Sequence, residues 1–412
     1  MRSGIRLADG LAFVAACGLL ALSSSGCGTV PIDPADGLDP VVLGETVYNN
    51  GELDTLVGGE VASGTGRVLL YWDRHGEFTP GQPLALLSDN PYLDGAVVAA
   101  VWGEIEPERG VFDFGILEAE IAWWAERGKR VLLHTGPYAL ATARPPTPDW
   151  IYDEGVEAIE FQPDPRKAYV ATLPKVWESP AFLTLYGEFV AALAERYDDD
   201  PRVDHVWIGV GHLGYTTACA ARGGATALPA AGWTPQKWED YIDDMVDLFA
   251  SHFTQTPTVL AASPGWLVNY KESTTVPAME RIAQYAVEQG ASLMMNGLDT
   301  DPDVYARRPF SEMLDSIADA TLPPDFTLFM RDDWPLWVDE ERRESNSWEA
   351  DRDEQGFVRA LLIARDEWDR LGRQCDFVLV LLTPEVQAST PEHPDYEPAV
   401  AAILEACKAT GS

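Results

Sequence analysis

The segment Phe329-Met-Arg-Asp-Asp-Trp334 sets two carboxylates, Asp332 and Asp333, beside Arg331 just after an apolar run. A cationic neighbour keeps a carboxylate ionised, so either aspartate could act as a nucleophile. Two carboxyl groups about 5 Å apart, one nucleophile and one acid/base, cleave a glycosidic bond with retention. Other acids also follow apolar runs: Asp73, Glu77, Glu104, Glu106 and Glu385. Asp73 and Glu104 are the candidates to complete a pair with Asp332 or Asp333, while Glu106 fits a structural hydrogen-bonding role. His75, His134 and His212 stand in comparable places. Together with Asp73 and Asp332 or Asp333 they form an alternative set of N/O metal ligands.

Aromatic residues recur at the same kind of position: Trp72, Trp102, Tyr138, Trp150, Trp266, Trp334 and Trp337. An aromatic face packs on the C–H face of a sugar ring, and a polar ring edge can hydrogen-bond a hydroxyl. The expected substrate-binding set is Trp72, Trp102, His134, Tyr138, His212, Tyr215, Trp266 and Trp334.

These residues need a scaffold that gathers strand ends on one face. Strand-like runs alternate with helix-like segments along the chain. The runs are Arg67–Trp72, Gly95–Trp102, Arg130–His134, Asp204–Val210, Thr258–Ala262, Ser292–Met295, Phe326–Met330 and Phe377–Leu382. Predicted helices span Ile116–Arg127, Pro180–Tyr197, Thr234–Phe253, Pro277–Gln289, Ser311–Ala320, Gly356–Leu371 and Tyr396–Lys408. Gly128 and Gly290 read as helix stops, and Thr234-Pro235 as a capped helix start. Eight strands with intervening helices make an α/β fold, the (β/α)8 TIM barrel, whose functional face lies at the strand C-termini. A doubly wound sheet would open with a glycine-rich phosphate turn, and none is present. The long connections after strands 3, 4 and 7, roughly residues 135–180, 211–233 and 331–355, imply an elaborated cleft. The metal set is incomplete by pattern: strand 1 offers Asp-x-His, and strands 5 and 6 have no histidine. No cofactor and no metal is expected.

The stretch Trp102-Gly-Glu-Ile-Glu106-Pro107-Glu-Arg-Gly110-Val-Phe112-Asp-Phe114 resembles the β-galactosidase-like glycoside hydrolases, a clan of (β/α)8 retaining enzymes. The likeness continues through Trp123-Trp124-Ala-Glu-Arg-Gly-Lys-Arg, Ser179-Pro-Ala-Phe and Pro201-Arg-Val-Asp-His-Val-Trp, and is strongest over residues 67–215. It implies carboxylates at the ends of strands 4 and 7. Strand 7 supplies Asp332 and Asp333. At strand 4 the implied glutamate position holds Tyr215, and no Asp or Glu occurs between Asp204 and Glu239. The resemblance thus implies a glycoside hydrolase acting on an extracellular or cell-envelope carbohydrate, with its acid/base drawn from elsewhere. The alternative is a non-catalytic carbohydrate-binding barrel, and the third reading is a metal-dependent hydrolase.

The chain has 412 residues and a formal net charge of −37. That balance repels nucleic acid. Arg2 and Arg6 precede an apolar run, Leu11–Leu22, too short for a comfortable membrane span. Ser24-Ser-Gly-Cys27 resembles a lipoprotein processing site, so residues 1–27 are expected to be a signal peptide with Cys27 lipidated. A Cys17 site or plain secretion are the alternatives. Residues 28–45 read as a tether and residues 46–412 as the barrel. The expected protein is an exported monomer, lipid-anchored to the bacterial cell envelope, with an oligo- or polysaccharide as partner and membrane contact through the anchor alone. Strand 8 starts and the last helix ends at the same barrel face, so a Cys375–Cys407 disulfide is expected in an oxidising compartment.

Overall fold

The computed structural model describes residues 41–43, 46–48, 67–71, 88–137, 146–163, 169–212, 214–219, 221–262, 272–298, 325–330, 374–381 and 390–391. The chain has the (β/α)8 barrel fold. A small antiparallel hairpin, β1 (Val41–Leu43) with β2 (Thr46–Tyr48), lies ahead of it. The stretch read as a tether to residue 45 therefore ends in paired backbone. The barrel strands are β3 (Arg67–Tyr71), β4 (Gly95–Val101), β5 (Arg130–Gly136), β8 (Val203–Trp207), β9 (Thr258–Ala262), β10 (Ser292–Leu298), β11 (Asp325–Met330) and β12 (Gln374–Leu381). Within one unit β5 pairs in parallel with β8 and β8 with β9, and within the other β11 pairs with β12, β12 with β3 and β3 with the start of β4. They correspond to the eight predicted runs, with ends shifted by up to three residues.

One compact unit holds residues 97–294. Its strands are buried on both faces: every residue of β8 and β9, and of β5 after Arg130, is buried. Such strands are mostly apolar because helices cover the outer face, with Asp204 and His205 of β8 and His134 and Thr135 of β5 as buried polar exceptions. β5 pairs in parallel with β8, setting His134 opposite Trp207, and Trp207 in turn pairs with Val259 of β9.

The helices of this unit start and stop where local chemistry dictates. In α4 (Pro180–Tyr197) Ser179 Oγ accepts from Phe182 N at 3.3 Å with proline at the first turn. In α6 (Pro235–His252) Thr234 Oγ1 does the same for Lys237 N at 3.3 Å. Each cap satisfies an amide that has no partner within the helix. α4 turns Phe182, Leu185, Tyr186, Phe189, Val190 and Leu193 inward at helical spacing, and α6 packs between α4 and α7 (Glu272–Glu288). The last differs from the expected start at Pro277: the helix begins five residues earlier and carries that proline inside it.

The connection after β5 is not a bare loop. It contains a one-turn helix, Trp150–Asp153, and an antiparallel hairpin of β6 (Ala158–Phe161) and β7 (Ala171–Pro174). A further helix, Gly224–Ala230, after β8 packs on β6. The amide of Gly223 donates to the Pro163 carbonyl at 3.1 Å, tying these two connections together.

In the second unit β3, β11 and β12 pair in parallel, with Leu379 opposite both Leu69 and Phe329. Asn90 Nδ2 donates to Thr390 Oγ1 at 3.2 Å within it. Three predicted helices, Ser311–Ala320, Gly356–Leu371 and Tyr396–Lys408, lie outside the described residues, as do the signal segment, Cys27, and all of the tether before residue 41. Cys375 falls in β12 but Cys407 lies outside them, so the expected disulfide does too. Among the described residues no helix is long and apolar enough to cross a membrane.

Five of the chain's acids lie along α6. Glu239, Asp240, Asp243, Asp244 and Asp247 share this helix; Arg281 of α7 pairs with Glu239 at 3.3 Å and Asp243 at 2.8 Å, and Tyr285 donates to Asp247 at 2.6 Å. Burial, then the neighbouring Asp247, Asp240 and Asp243, push the Asp244 carboxyl up. Counter-ions screen such repulsion, the Debye length falling from about 10 Å at 0.1 M to about 3 Å at 1 M. The thermal midpoint is therefore expected to rise by several degrees between dilute buffer and molar NaCl. A midpoint that is flat or falls over that range would show that like-charge repulsion does not limit this fold.

Candidate functional site

Three connections are described at the strand ends of residues 97–294, those after β4, β5 and β8. β4 runs straight into α1 (Trp102–Ile105), one helical turn that brings Trp102 and Glu106 onto one side. Trp102 Nε1 donates to Glu106 Oε2 at 2.7 Å, and Gly110 N donates to Oε1 at 2.8 Å. Trp150 Nε1 donates to the Glu106 carbonyl at 3.0 Å. Burial raises the Glu106 carboxyl above its ordinary value against the lowering pull of those donors. Glu106 is thus the structural hydrogen-bonder expected from its place.

Trp102 departs from expectation. It is fully buried, ringed by Trp150, Phe182, Tyr186 and Phe189 with centroids 5.1–6.0 Å away. An indole so enclosed has no face left for a sugar, so Trp102 is a core residue. Glu104 is half-buried and its Oε2 accepts from the Val101 amide at 3.5 Å, capping the same turn.

At the end of β5, His134 lies flat against Trp207, ring centroids 4.2 Å apart and planes 25° from parallel. Among the described residues neither of its ring nitrogens has a hydrogen-bond partner, and neither is open to solvent. Burial lowers its pKa to about 3, so the imidazole is neutral at ordinary pH. The next residue, Thr135, is fixed by Tyr186, whose hydroxyl donates to the Thr135 carbonyl at 3.1 Å.

Beyond β8 the chain folds back on itself. Gly211 N donates to Tyr215 O at 2.8 Å, His212 N to Thr217 O at 2.8 Å, and Gly214 N to Gly211 O at 2.9 Å. Thr216 N reaches the Ala261 carbonyl of β9 at 3.1 Å, and Trp238 and Tyr241 of α6 donate to Thr216 O and Val210 O. Tyr215 is buried with its ring edge on Trp207 at 5.3 Å. His212 is fully buried, and burial lowers its pKa to about 4; the expectation that it faces a ligand is not met. The loop packs tightly onto the neighbouring strand. A Cβ at Gly209 would stand 2.1 Å from the Thr135 carbonyl oxygen, and one at Gly214 would stand 2.2 Å from His134 Nε2. No carboxylate projects from this loop.

Asp73, Trp72, Tyr138, Trp266, Asp332, Asp333 and Trp334 lie outside the described residues. Among the described residues no group of three or more His, Cys, Asp or Glu could hold a metal ion. The structure brings together His134, Trp207 and Tyr215. Trp207 was absent from the expected set, and its register opposite His134 is the signal that finds it.

The Glyco_hydro_42 family, described as beta-galactosidase, matches residues 95–219. A β-galactosidase of Haloferax lucentense is 32% identical over 110 residues, which are 25% of this chain and 14% of that protein. One from Halorubrum lacusprofundi is 32% identical over 103 residues, again 25% of this chain and 14% of its own length. These matches thus span only a small part of the curated relatives. The catalytic domain of β-amylase from Paenibacillus polymyxa superposes with a TM-score of 0.51 at 10% identity, over 78% of this chain and 93% of that one, a likeness of fold alone. The chain is therefore a glycoside hydrolase-like (β/α)8 barrel whose likeness to β-galactosidases rests on the segment from β4 to just past β8.

Proposed function

We propose that this chain recognises a carbohydrate on a glycosidase-type barrel without using an acid/base at the end of the fourth barrel strand. The observation that carries the reading is the loop after β8. It is buried, bonded to itself through Gly211, His212 and Gly214, and free of carboxylates from His205 to Trp238. Its own His212 and the nearby His134 are neutral at ordinary pH, so neither holds a proton to give a leaving group. Glu104 and Glu106 are occupied in shaping the turn after β4. The barrel itself and the match to β-galactosidases over residues 95–219 support a sugar as the ligand.

In this reading the protein is exported, held at the cell envelope through Cys27, and meets an oligo- or polysaccharide there as a monomer. The competing reading is a hydrolase in which Asp332 or Asp333 is the nucleophile and Asp73 or Glu104 supplies the proton.

A glycan array followed by a reducing-sugar assay on the glycans bound separates the two. Binding without sugar release, unchanged in Asp332→Asn and Asp333→Asn variants, is the expected result. Release of reducing sugar that either variant abolishes would overturn the binding-only reading in favour of hydrolysis.

A further inference from the structure

We propose that α6 and α7 form a clasp on the loop after β8, and that the ionic strength of the medium sets how firmly it closes. Trp238 Nε1 of α6 donates to the Thr216 carbonyl at 2.8 Å, and the Tyr241 hydroxyl donates to the Val210 carbonyl at 2.9 Å. From α7, Met279 Sδ accepts from Thr216 Oγ1 at 3.8 Å. Trp238, Tyr241, Met279 and Thr216 are all buried. The contact is close, since a Cβ at Gly211 would stand 3.0 Å from the Trp238 ring. A loosening of α6 is therefore felt at both the start and the end of the loop.

The outer side of the same helices carries the charge. Glu239, Asp240, Asp243, Asp244 and Asp247 stand three or four residues apart along α6, and like charges at that spacing destabilise a helix. Arg281 of α7 meets only Glu239 and Asp243, while Lys237 at the start of α6 is taken by Glu178 at 2.7 Å. Asp240 and Asp244 are exposed and have no cationic partner among the described residues. Salt weakens the Arg281 pairs and the repulsion among the acids alike. Five carboxylates against one guanidinium make the repulsion the larger of the two, so dilute medium slackens the clasp and molar salt closes it.

Parts of one fold open locally with different free energies. A helix under repulsion can thus open with the loop it holds while the barrel strands stay shut. Tyr215 of that loop packs edge-on against Trp207 at the end of β8. The clasp therefore controls whether this strand end, where the resemblance implies a carboxylate, is covered. The inference does not depend on what the barrel binds.

The test is amide hydrogen exchange of the full chain at fixed pH, followed peptide by peptide from dilute buffer to molar NaCl. Amides of the loop after β8 and of α6 should slow together as salt rises, while those of β5 change little. Asp240→Asn combined with Asp244→Asn removes like-charge pairs without touching the clasp, and should slow loop exchange in dilute buffer on the order of 3–10-fold. Trp238→Phe deletes the donor to Thr216. It should speed loop exchange and abolish the response of the loop to salt, while α6 keeps its own; should that variant not fold, Tyr241→Phe replaces it. Loop exchange indifferent to salt and to the double asparagine variant overturns the proposal. So does slowing of the loop only in step with β5, which marks opening of the whole unit, or a salt response of α6 that the loop does not follow.

Discussion

Gly214→Ala is expected to destabilise the protein by about 2–5 kcal/mol, a left-handed backbone cost of roughly 1–2 kcal/mol added to an overpacking cost of roughly 1–3 kcal/mol. The backbone there has φ +83°, and the new methyl would stand 2.2 Å from His134 Nε2. The imidazole cannot retreat easily, because it lies on Trp207 at 4.2 Å and is more than nine-tenths buried. The two costs can be separated. In a His134→Ala background the methyl meets no ring, so the second substitution should cost only the backbone share, and the cycle should report a coupling of about 1–3 kcal/mol. Urea denaturation of the four proteins measures it. A Gly214→Ala cost unchanged by removal of the imidazole would mean that the close approach between β5 and the loop after β8 is not what holds glycine at this position.

The barrel was legible because parallel strands covered on both sides are mostly apolar, as Gly95–Val101 is throughout and Thr258–Ala262 is after its first residue, while Val203–Trp207 departs from the rule at the buried Asp204 and His205. Helix starts at Ser179-Pro180 and Thr234-Pro235 were legible because a capping oxygen and a preset proline φ act within four residues. The elements inside the long connections were not. Each strand of the β6–β7 hairpin has only four residues, and Gly224–Ala230 carries a glycine at its start and Pro229 within. Neither offers a period long enough to read. These pieces fold because they pack on each other, which one stretch of sequence cannot announce.

The candidate site divides in the same way. Tyr215 at the place of an implied glutamate was visible in the sequence, and the structure shows what it does there: its ring is buried edge-on against Trp207 in a segment that folds back on itself. His134 was named, but its lack of partners was not visible, since that depends on what Trp207 and Gly214 do across the sheet. The run Gly209-Val-Gly-His-Leu-Gly214 was the available clue, because glycine repeated at a strand end often marks a close backbone approach. Trp102 misled because position alone put it past a strand end. Its i, i+4 spacing to Glu106 was the local signal that the indole turns back, while its aromatic partners Trp150, Phe182, Tyr186 and Phe189 lie too far along the chain to be paired by eye.

Trp102 therefore carries the second large expected effect, and it is one of stability rather than of sugar binding. Trp102→Ala removes a fully buried indole from among Trp150, Phe182, Tyr186 and Phe189, at about 3–5 kcal/mol. It also leaves Glu106 Oε2 without its donor. Trp102→Phe keeps most of the packing and deletes Nε1, so its cost should fall to about 1–3 kcal/mol, that of a buried acceptor left unpaired. Sugar affinity should be unchanged in the phenylalanine variant if it folds, whereas an indole that stacked on ligand through its polar edge would lose affinity. Glu106 adds a pH signature with a definite sign. Its folded pKa is raised, so the stability it contributes is fully present below the ordinary carboxyl value of 4.5 and is lost as pH rises through the folded value. Glu106→Gln cannot titrate and lacks that loss. The variant presents an amide N–H to one of the two donors now met by carboxylate oxygens, so it starts less stable than the parent. The gap between the two should narrow as pH rises from 4.5 through the folded value, read from urea midpoints across that range. A gap that widens instead would show that the bonds from Trp102 and Gly110 outweigh burial and hold the Glu106 carboxyl below its ordinary value.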